Sequence, residues 1–446
     1  MTDKVKKTKM SVSWVLVIAA AAVSFFCMYY ADMQTTTKNG LLLIDCILKG
    51  QPSDFYKVSG ADYPFMIYIF FSIWNLPVYL LSRVGGIPEA ALFYVWWSKG
   101  IVLLFLAGTT WKLDAILKKM APEAKEGMLY IWLSSLFMML PLMSTGQYDI
   151  IELFFLCFAS EAYLKDGKMT IRTLIIFAVA MSVKYFVIFP FAILLLLDEK
   201  RLSRLFLKAV AGCSVPVIMD IPMILSDSTN MSQNSGFQKE MLISMFRPTI
   251  MCGSFEISTF LVFLFSICIM AYITKTETIE ARFKKFNWYV FFMWSAMFSF
   301  KLECYPYWII LILPHIVFLL TAYKEYLKLN LCLEICMELS LVMMLDYRYP
   351  WVFFHESLLN FPDGGNGNVS SLADLADKIQ FKSVLSGVAA VYFVCWAWMI
   401  VINNPWKKVI KPGIAEQLPQ KEDLFLLKAI MAAVCPCIIF CLAFVL

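Results

Sequence analysis

Long apolar stretches separated by short polar segments run along the whole chain. A stretch of about 20 apolar residues is long enough to cross a membrane as an α-helix. The first, 12–30, follows a basic segment, is too long for a signal-peptide core and lacks a small-residue cleavage site, so we expect an uncleaved first span. The predicted spans, 13 in all, are 12–30, 91–111, 128–143, 150–163, 170–183, 186–197, 206–225, 257–274, 288–300, 307–323, 331–345, 384–401 and 424–446.

One further apolar stretch, 64–81, decides the predicted topology. It is long enough to cross the membrane, but Asn75 and Pro77 interrupt it. If it lies along the outer surface, 26 of the 38 Lys and Arg residues fall on the cytoplasmic side, and if it crosses, only 13 do. Because cytoplasmic loops carry the excess of Lys and Arg, the segment is predicted to lie on the surface. The amino terminus is then cytoplasmic and the carboxyl terminus lies outside.

The predicted topology leaves three outer regions that can carry a functional site. The first is 31–90, with a short apolar helix around 41–48, and the second is the turn 144–149. The third comprises the loops 226–250 and 346–381. Since no soluble domain is visible, any active site must be built from the ends of spans and from these outer regions.

Composition supports the same fold class. Of the 446 residues, 61% are hydrophobic and 16% charged, which is more apolar surface than a soluble core of this length requires. The 13 Cys lack metal-ligand spacing and there are only two His, so neither a zinc site, a disulfide framework nor a His-based triad is supported. We predict an all-α polytopic membrane protein with two modules, 1–225 and 226–446.

Lys184 is the candidate for an anion-binding group. It lies in the middle of the apolar stretch 174–197. A charge at the centre of a bilayer costs at least about 2.5 kcal/mol, so an intramembrane Lys indicates a functional site. Divided into two short spans, 170–183 and 186–197, the stretch turns at Lys184 and brings the ammonium to the outer face, where a lipid-linked phosphate could be its partner. The alternative is a Lys that snorkels with its head group in water.

Several short motifs follow one another along the chain. They are Asp32 directly after the first span, Asp62-Tyr63-Pro64, the turn Ser144-Thr145-Gly146-Gln147-Tyr148-Asp149, Lys184 before a Phe- and Pro-rich span, and Tyr305-Pro306-Tyr307-Trp308 followed by Pro314. This order resembles the GT-C glycosyltransferases, multi-span enzymes that use polyprenyl- or dolichyl-phosphate-linked sugars, and is similar to the glucosyl- and mannosyltransferase branch of lipid-linked glycan assembly and its bacterial relatives. The resemblance covers about the first 200 residues, with one weaker element in a later span, and implies that 1–225 is the catalytic module and 226–446 a variable module.

Sugar transfer from a lipid phosphate needs a general base for the acceptor hydroxyl and cations for the departing phosphate. The resemblance implies that Asp32 is the base, and Asp45 is its rival on the same outer region. The candidate phosphate ligands are Lys184, Lys99 and Arg247, and the candidates for sugar or acceptor binding are Gln147, Tyr148, Asp149 and Tyr63. Lys99 would serve equally as a lipid-headgroup anchor, and Arg247 as an ordinary loop residue.

The predicted reaction is inverting and needs no cofactor. No Asp-x-Asp or Glu-x-Asp pair occurs in the first outer region or in the turn 144–149, so a divalent metal is not favoured, although Asp32, Asp45 and Asp149 could converge on one. The expected partners are a polyprenyl-phosphate sugar donor, a glycan or lipid acceptor and membrane lipids, with no nucleic acid. A bacterial plasma membrane is the expected location, and sequons at Asn230 and Asn368 leave the endoplasmic reticulum open.

Two acids keep other functions open. Glu334 and Glu338 are spaced i to i+4 within the span 331–345, where charge is costly. Midplane carboxylates are typical of ion-coupled transporters. Glu334 lies one turn from the cytoplasmic end of the span, so snorkelling toward water explains it better than it explains Glu338. A lipid-linked glycan polymerase or flippase is the third possibility.

Overall fold

The computed structural model describes residues 3–28, 30–59, 61, 63–86, 92–225, 247–276, 278–300, 304–353, 382–406 and 418–445. Most of the predicted loops 226–250 and 346–381, both sequons and Asp62 lie outside these ranges. The described part is almost entirely helical, as the apolar pattern predicts. Its helices are α1 Asp3–Cys27, α2 Ala31–Leu48, α3 Phe55–Val58, α4 Phe65–Gly85, α5 Leu92–Met120, α6 Lys125–Ser134, α7 Leu136–Met138, α8 Asp149–Asp166, α9 Ile171–Val183, α10 Ile188–Asp198, α11 Leu202–Leu225, α12 Thr259–Ile273, α13 Ile279–Phe300, α14 Leu313–Ala322, α15 Leu327–Arg348, α16 Pro350–Phe353, α17 Lys382–Ile402 and α18 Lys421–Val445.

The helices have the apolar outer surface of a multi-pass membrane protein. Among the described residues, five helices are long and apolar enough to cross a membrane, or seven if each of two bent pairs counts as one span. Of the 18 consecutive residues that form the most apolar part of α11, only 11% are buried. Ile18 on α1 and Ile73 on α4 are each more than 60% exposed. Such a surface fits lipid better than water. The figure of 13 spans and the orientation of the termini stay predictions.

The chain divides into two compact units. Unit 1 contains 1–30, 113–147 and 304–446, and unit 2 contains 31–112 and 148–303. These boundaries differ from the functional modules expected from the sequence, whose assignment stays a prediction.

In unit 1, α1 packs along α18, and α15 packs along α17. The α6 helix breaks at Ser135 and continues after a bend of 52° as α7 and a π-helical turn, Met139–Ser144. Near the ends of α15 and α17, Asn330 and Asn403 exchange two amide hydrogen bonds of 2.9 Å, so that both buried side chains are paired.

In unit 2, α2 packs along α4, and α9 lies between α8 and α11. Glycines at two positions permit close approaches between neighbouring segments. A Cβ at position 40 would lie 3.0 Å from the Phe71 Cβ, and one at position 212 would lie 2.4 Å from the Phe191 ring. Small residues let helices that lack a hydrophobic driving force pack closely in lipid.

The short apolar helix predicted around 41–48 is present as the second half of a longer helix, α2. The helix begins at Ala31, directly after the first span, and carries Asp32 in its first turn, where a carboxylate interacts favourably with the helix dipole. Within this polar half the hydroxyl of Thr37 donates to the Met33 carbonyl at 2.8 Å. Asp32 therefore sits on a helix and not on a loop.

A β-hairpin interrupts the otherwise helical chain before α12. Strands β1 Thr249–Cys252 and β2 Phe255–Ser258 pair antiparallel, whereas the sequence predicts a loop and the start of a span there. Gly253 has φ +64°, the left-handed conformation that two-residue hairpin turns require and that glycine adopts without strain. Most of the hairpin is exposed.

The stretch predicted to lie on the membrane surface forms the continuous helix α4, with Pro77 inside it. The buried Asn75 side chain donates to the Phe71 carbonyl at 2.9 Å and accepts from the Ser98 hydroxyl at 3.1 Å. By length and composition α4 also qualifies as a span, so its orientation stays a prediction.

Candidate functional site

The Asp32 carboxylate is half-buried and accepts hydrogen bonds from two tyrosines. Its Oδ2 lies 3.0 Å from the Tyr63 hydroxyl and 3.4 Å from the Tyr148 hydroxyl. Thr36, one turn along α2, donates to the Tyr148 hydroxyl at 3.4 Å. Since these bonds come from three segments of unit 2, the orientation of the carboxylate is defined by tertiary packing and not by its own helix alone.

Both tyrosines are held in place by further contacts. The Tyr63 backbone N–H donates to the Tyr68 hydroxyl at 3.2 Å, and its carbonyl accepts from the Tyr56 hydroxyl at 2.9 Å. The Tyr148 ring is 1% exposed and packs edge-on against Tyr63 and Phe71, with centroids 5.4 Å apart in each case. The hydroxyls that contact Asp32 therefore have little freedom to move.

Lys184 lies at a break between two short helices, where the sequence predicts a turn. It follows α9 with an extended backbone and precedes the short 3₁₀ turn Tyr185–Val187. Its Nζ donates to Asp149 Oδ1 at 2.7 Å, and the Lys184 side chain is 8% exposed while that of Asp149 is fully buried. Lys184 therefore does not snorkel with its ammonium in water, because the side chain is buried and paired with Asp149.

The same two tyrosines also contact the lysine. Nζ of Lys184 lies 5.5 Å from the Tyr63 ring centroid and 5.1 Å from that of Tyr148, distances at which an ammonium is attracted to an aromatic face. The hydroxyls thus contact the carboxylate and the rings contact the cation. We call Asp32, Tyr63, Tyr148, Asp149 and Lys184 the Asp32–Lys184 cluster.

A second acid, Glu152, lies beside this cluster and was missed by sequence reasoning. It follows Asp149 by three residues in the first turn of α8, and both side chains are fully buried. Asp149 Oδ2 and both carboxyl oxygens of Glu152 have no hydrogen-bond partner among the described residues. The i to i+3 spacing of two acids in an apolar helix next to a predicted outer turn was the signal available in the sequence.

The rival base, Asp45, lies far from the cluster. Thirteen residues of continuous helix separate it from Asp32, a distance of about 20 Å at 1.5 Å per residue. Its carboxylate binds Arg83 Nη2 at 2.7 Å and the Tyr79 hydroxyl at 2.6 Å. Asp45 thus joins α2 to α4, and the two candidate bases cannot serve the same reacting atom.

The remaining candidates have different surroundings. Lys99 is fully buried in α5 next to Ser98. Its side chain is therefore not exposed as a lipid-headgroup anchor would be. Arg247 is exposed just before the hairpin. Gln147 is buried and its backbone N–H donates to the Pro141 carbonyl at 2.8 Å, which closes the turn that precedes Tyr148.

In the part of the chain that the structure describes, no group of three or more His, Cys, Asp or Glu side chains is arranged to hold a metal ion. Metal independence of the reaction stays a prediction. Comparison with protein-family models and with curated proteins finds no match for this chain. The geometry of the Asp32–Lys184 cluster and the resemblance described above therefore carry the functional argument.

Proposed function

We propose that the chain is a membrane glycosyltransferase that moves a sugar from a polyprenyl-phosphate carrier to a glycan or lipid acceptor on the outer face of the membrane. The observation that carries the proposal is the half-buried Asp32 carboxylate, oriented by two tyrosine hydroxyls whose rings lie against the Lys184 ammonium. A general base must be both reachable by substrate and fixed in orientation, and Asp32 meets both conditions.

In the proposed reaction, Asp32 takes the proton of the acceptor hydroxyl. The acceptor oxygen then attacks the anomeric carbon of the donor sugar from the face opposite the phosphate. The bond between that carbon and the phosphate oxygen breaks, and the phosphate leaves with the electron pair. The product has inverted anomeric configuration.

Lys184 is the proposed ligand for the departing phosphate. A buried ammonium needs an anionic partner, and Asp149 supplies one at 2.7 Å. A phosphate oxygen that reaches Lys184 would share or replace this contact. Because a cation placed where negative charge develops stabilises the transition state, Lys184 would lower the barrier as the phosphate leaves.

The decisive experiment measures sugar transfer from a synthetic polyprenyl-phosphate sugar by the purified chain. We expect Asp32→Asn to reduce turnover by at least about a hundredfold, the usual contribution of a general base. Asp45→Asn is the matched control, since it makes the same change on the same helix about 20 Å away, and it should retain most of the turnover. Equal turnover in wild type and Asp32→Asn would contradict the proposal.

An ion-coupled transporter is the second candidate, favoured by the complete burial of Glu334 and Glu338 on α15. Under the glycosyltransferase proposal, the purified protein in liposomes moves no substrate in response to an ion gradient. Reproducible coupled uptake would favour the transporter. A lipid-linked glycan polymerase or flippase would instead act on the lipid-linked glycan without transferring a single sugar from the carrier.

A further inference from the structure

Unit 1 contains a fully buried cluster of charges. Glu334 and Glu338 lie one turn apart on α15, Lys428 projects from α18, and all three side chains are 0% exposed. Nζ of Lys428 contacts Glu334 Oε1 and lies 2.9 Å from Glu338 Oε2. The Ser135 hydroxyl, at the break between α6 and α7, donates to Glu338 Oε1. We call these four residues the Glu334–Lys428 cluster.

The charges in this cluster do not balance. Within the described residues, the ion pairs of both glutamates go to Lys428 alone. Two carboxylates and one ammonium leave a net charge of −1 without access to water. An uncompensated buried charge is costly enough that a group usually takes up a proton instead.

The two carboxyls are also not equivalent. Glu338 accepts from the Ser135 hydroxyl and from the Leu136 backbone N–H, at 3.4 Å for the latter, in addition to Lys428. Glu334 Oε2 is buried and finds no donor among the described residues. Both carboxyls contact the same ammonium, Lys428 Nζ, and therefore lie close together. Two carboxylates placed this close repel each other unless one of them takes up a proton.

We propose that Glu334 carries a proton in the folded chain, so that unit 1 contains a proton-binding site separate from the Asp32–Lys184 cluster. With the proton bound, the cluster is neutral and joins α15, α18 and the break before α7. Without it, one negative charge stays buried with no cation. The packing of unit 1 therefore depends on pH.

Other titratable groups on the neighbouring helices have their own surroundings. The Tyr130 hydroxyl on α6 donates to the Phe425 carbonyl at 2.8 Å. Cys395 on α17 is buried near Cys336, and His315 on α14 is buried in the same unit. Lys9 and Asp423 form a partly exposed pair between α1 and α18. Comparison of variants that differ only at Glu334 separates the proposed proton from these groups.

The sign of the pH dependence follows from proton counting. An unfolded Glu has lost its proton above about pH 5, whereas the folded cluster still holds one. Since the folded state then binds more protons, stability falls as pH rises. One such proton changes the ratio of folded to unfolded protein by about tenfold per pH unit.

The test is thermal or denaturant unfolding of the full chain in detergent from about pH 6 to about pH 9. Glu334→Gln replaces the protonated acid by a neutral isostere, so we expect it to fold, to lose the dependence on pH and to be at least as stable as wild type at the alkaline end. Glu126→Gln, an exposed acid on α6, is the control and should keep the wild-type profile. A wild-type pH profile in Glu334→Gln would overturn the proposal.

Two further measurements keep the proposal testable if variants fold poorly. Glu338→Gln has the same net charge as Glu334→Gln but loses the carboxylate that Ser135 and Leu136 bind, so it should be the less stable of the two at every pH. Infrared spectra of the wild-type chain should contain a protonated-carboxyl band at neutral pH that weakens on alkaline titration and is smaller in Glu334→Gln. Absence of that band, or equal stability of the two Gln variants, would overturn the assignment.

Discussion

The two buried charge clusters contain similar groups but differ in how many of their charged atoms have partners. Each contains one buried Lys, and beside each Lys one helix carries two fully buried acids about a turn apart, Glu334 and Glu338 in one case and Asp149 and Glu152 in the other. Lys428 contacts both of its acids, and a hydroxyl and a backbone N–H contact one of them. Lys184 contacts one acid, keeps 8% of its side chain exposed and lies beside tyrosines that reach a half-exposed carboxylate.

This difference shows which buried ion pair is the better candidate for chemistry. In the Glu334–Lys428 cluster all charged side chains are 0% exposed, and removing one partner leaves an uncompensated charge. In the Asp32–Lys184 cluster the Asp32 carboxylate is only half-buried, so an acceptor hydroxyl can reach it. A buried Lys alone therefore does not identify an active site, and its neighbours must be considered.

The largest expected effect is on the stability contributed by the Glu334–Lys428 cluster. Lys428→Met leaves two buried acids without a cation, so we expect unit 1 to lose about 3–5 kcal/mol of unfolding free energy. Lys9→Met is the control, because its pair with Asp423 on the same helix α18 is partly exposed and should contribute less than about 1 kcal/mol. Chemical unfolding of both variants measures the difference. Equal losses would mean that the Glu334–Lys428 cluster does not stabilise the unit.

The next largest expected effect is on donor binding at the Asp32–Lys184 cluster. Lys184→Met should weaken donor binding by at least about tenfold, because a hydrogen bond to a charged group contributes about 1.5–3 kcal/mol. Lys112→Met is a matched control in the same unit, since Lys112 is also a buried Lys, 2.9 Å from Glu161. Titration with a polyprenyl-phosphate sugar compares the two. Similar donor affinity in both variants would refute the phosphate role of Lys184.

The smallest effects concern the tyrosine hydroxyls. Tyr63→Phe and Tyr148→Phe retain the rings against Lys184 and remove one hydrogen bond each from Asp32. We expect turnover to fall by about three- to tenfold, equivalent to about 1 kcal/mol, with the larger loss at Tyr63 because its bond is 3.0 Å and that of Tyr148 is 3.4 Å. Steady-state turnover at saturating donor gives the measurement. A larger loss at Tyr148 would show that the hydroxyls act by another route.

Local patterns predicted the helices around Lys184 closely. The expected spans 170–183 and 186–197 correspond to α9 Ile171–Val183 and α10 Ile188–Asp198. A charged residue between two apolar runs, each too short to span alone, carries enough information to position a break. The polar first half of α2 was not predicted, because Thr and Asn residues before Gly40 read as a loop by composition.

Pairing between distant segments could not be predicted. Tyr63 reaches Asp32 across 31 residues, and Lys428 reaches Glu334 across 94. The snorkelling explanation for Glu334 is wrong, since the side chain is fully buried against Lys428. Hydropathy measures the cost of a charge in lipid, but it does not reveal which distant side chain compensates that cost.

The paired amides of Asn330 and Asn403 have a consequence for the axial alignment of α15 and α17. The two amides satisfy each other only when the helices stand at one relative height, and a slip of one turn would leave both without a partner in apolar surroundings. Asn330 precedes Glu334 by one turn. The amide pair therefore also sets the depth at which the two glutamates lie, as a single Asn does when it selects one register of a coiled coil.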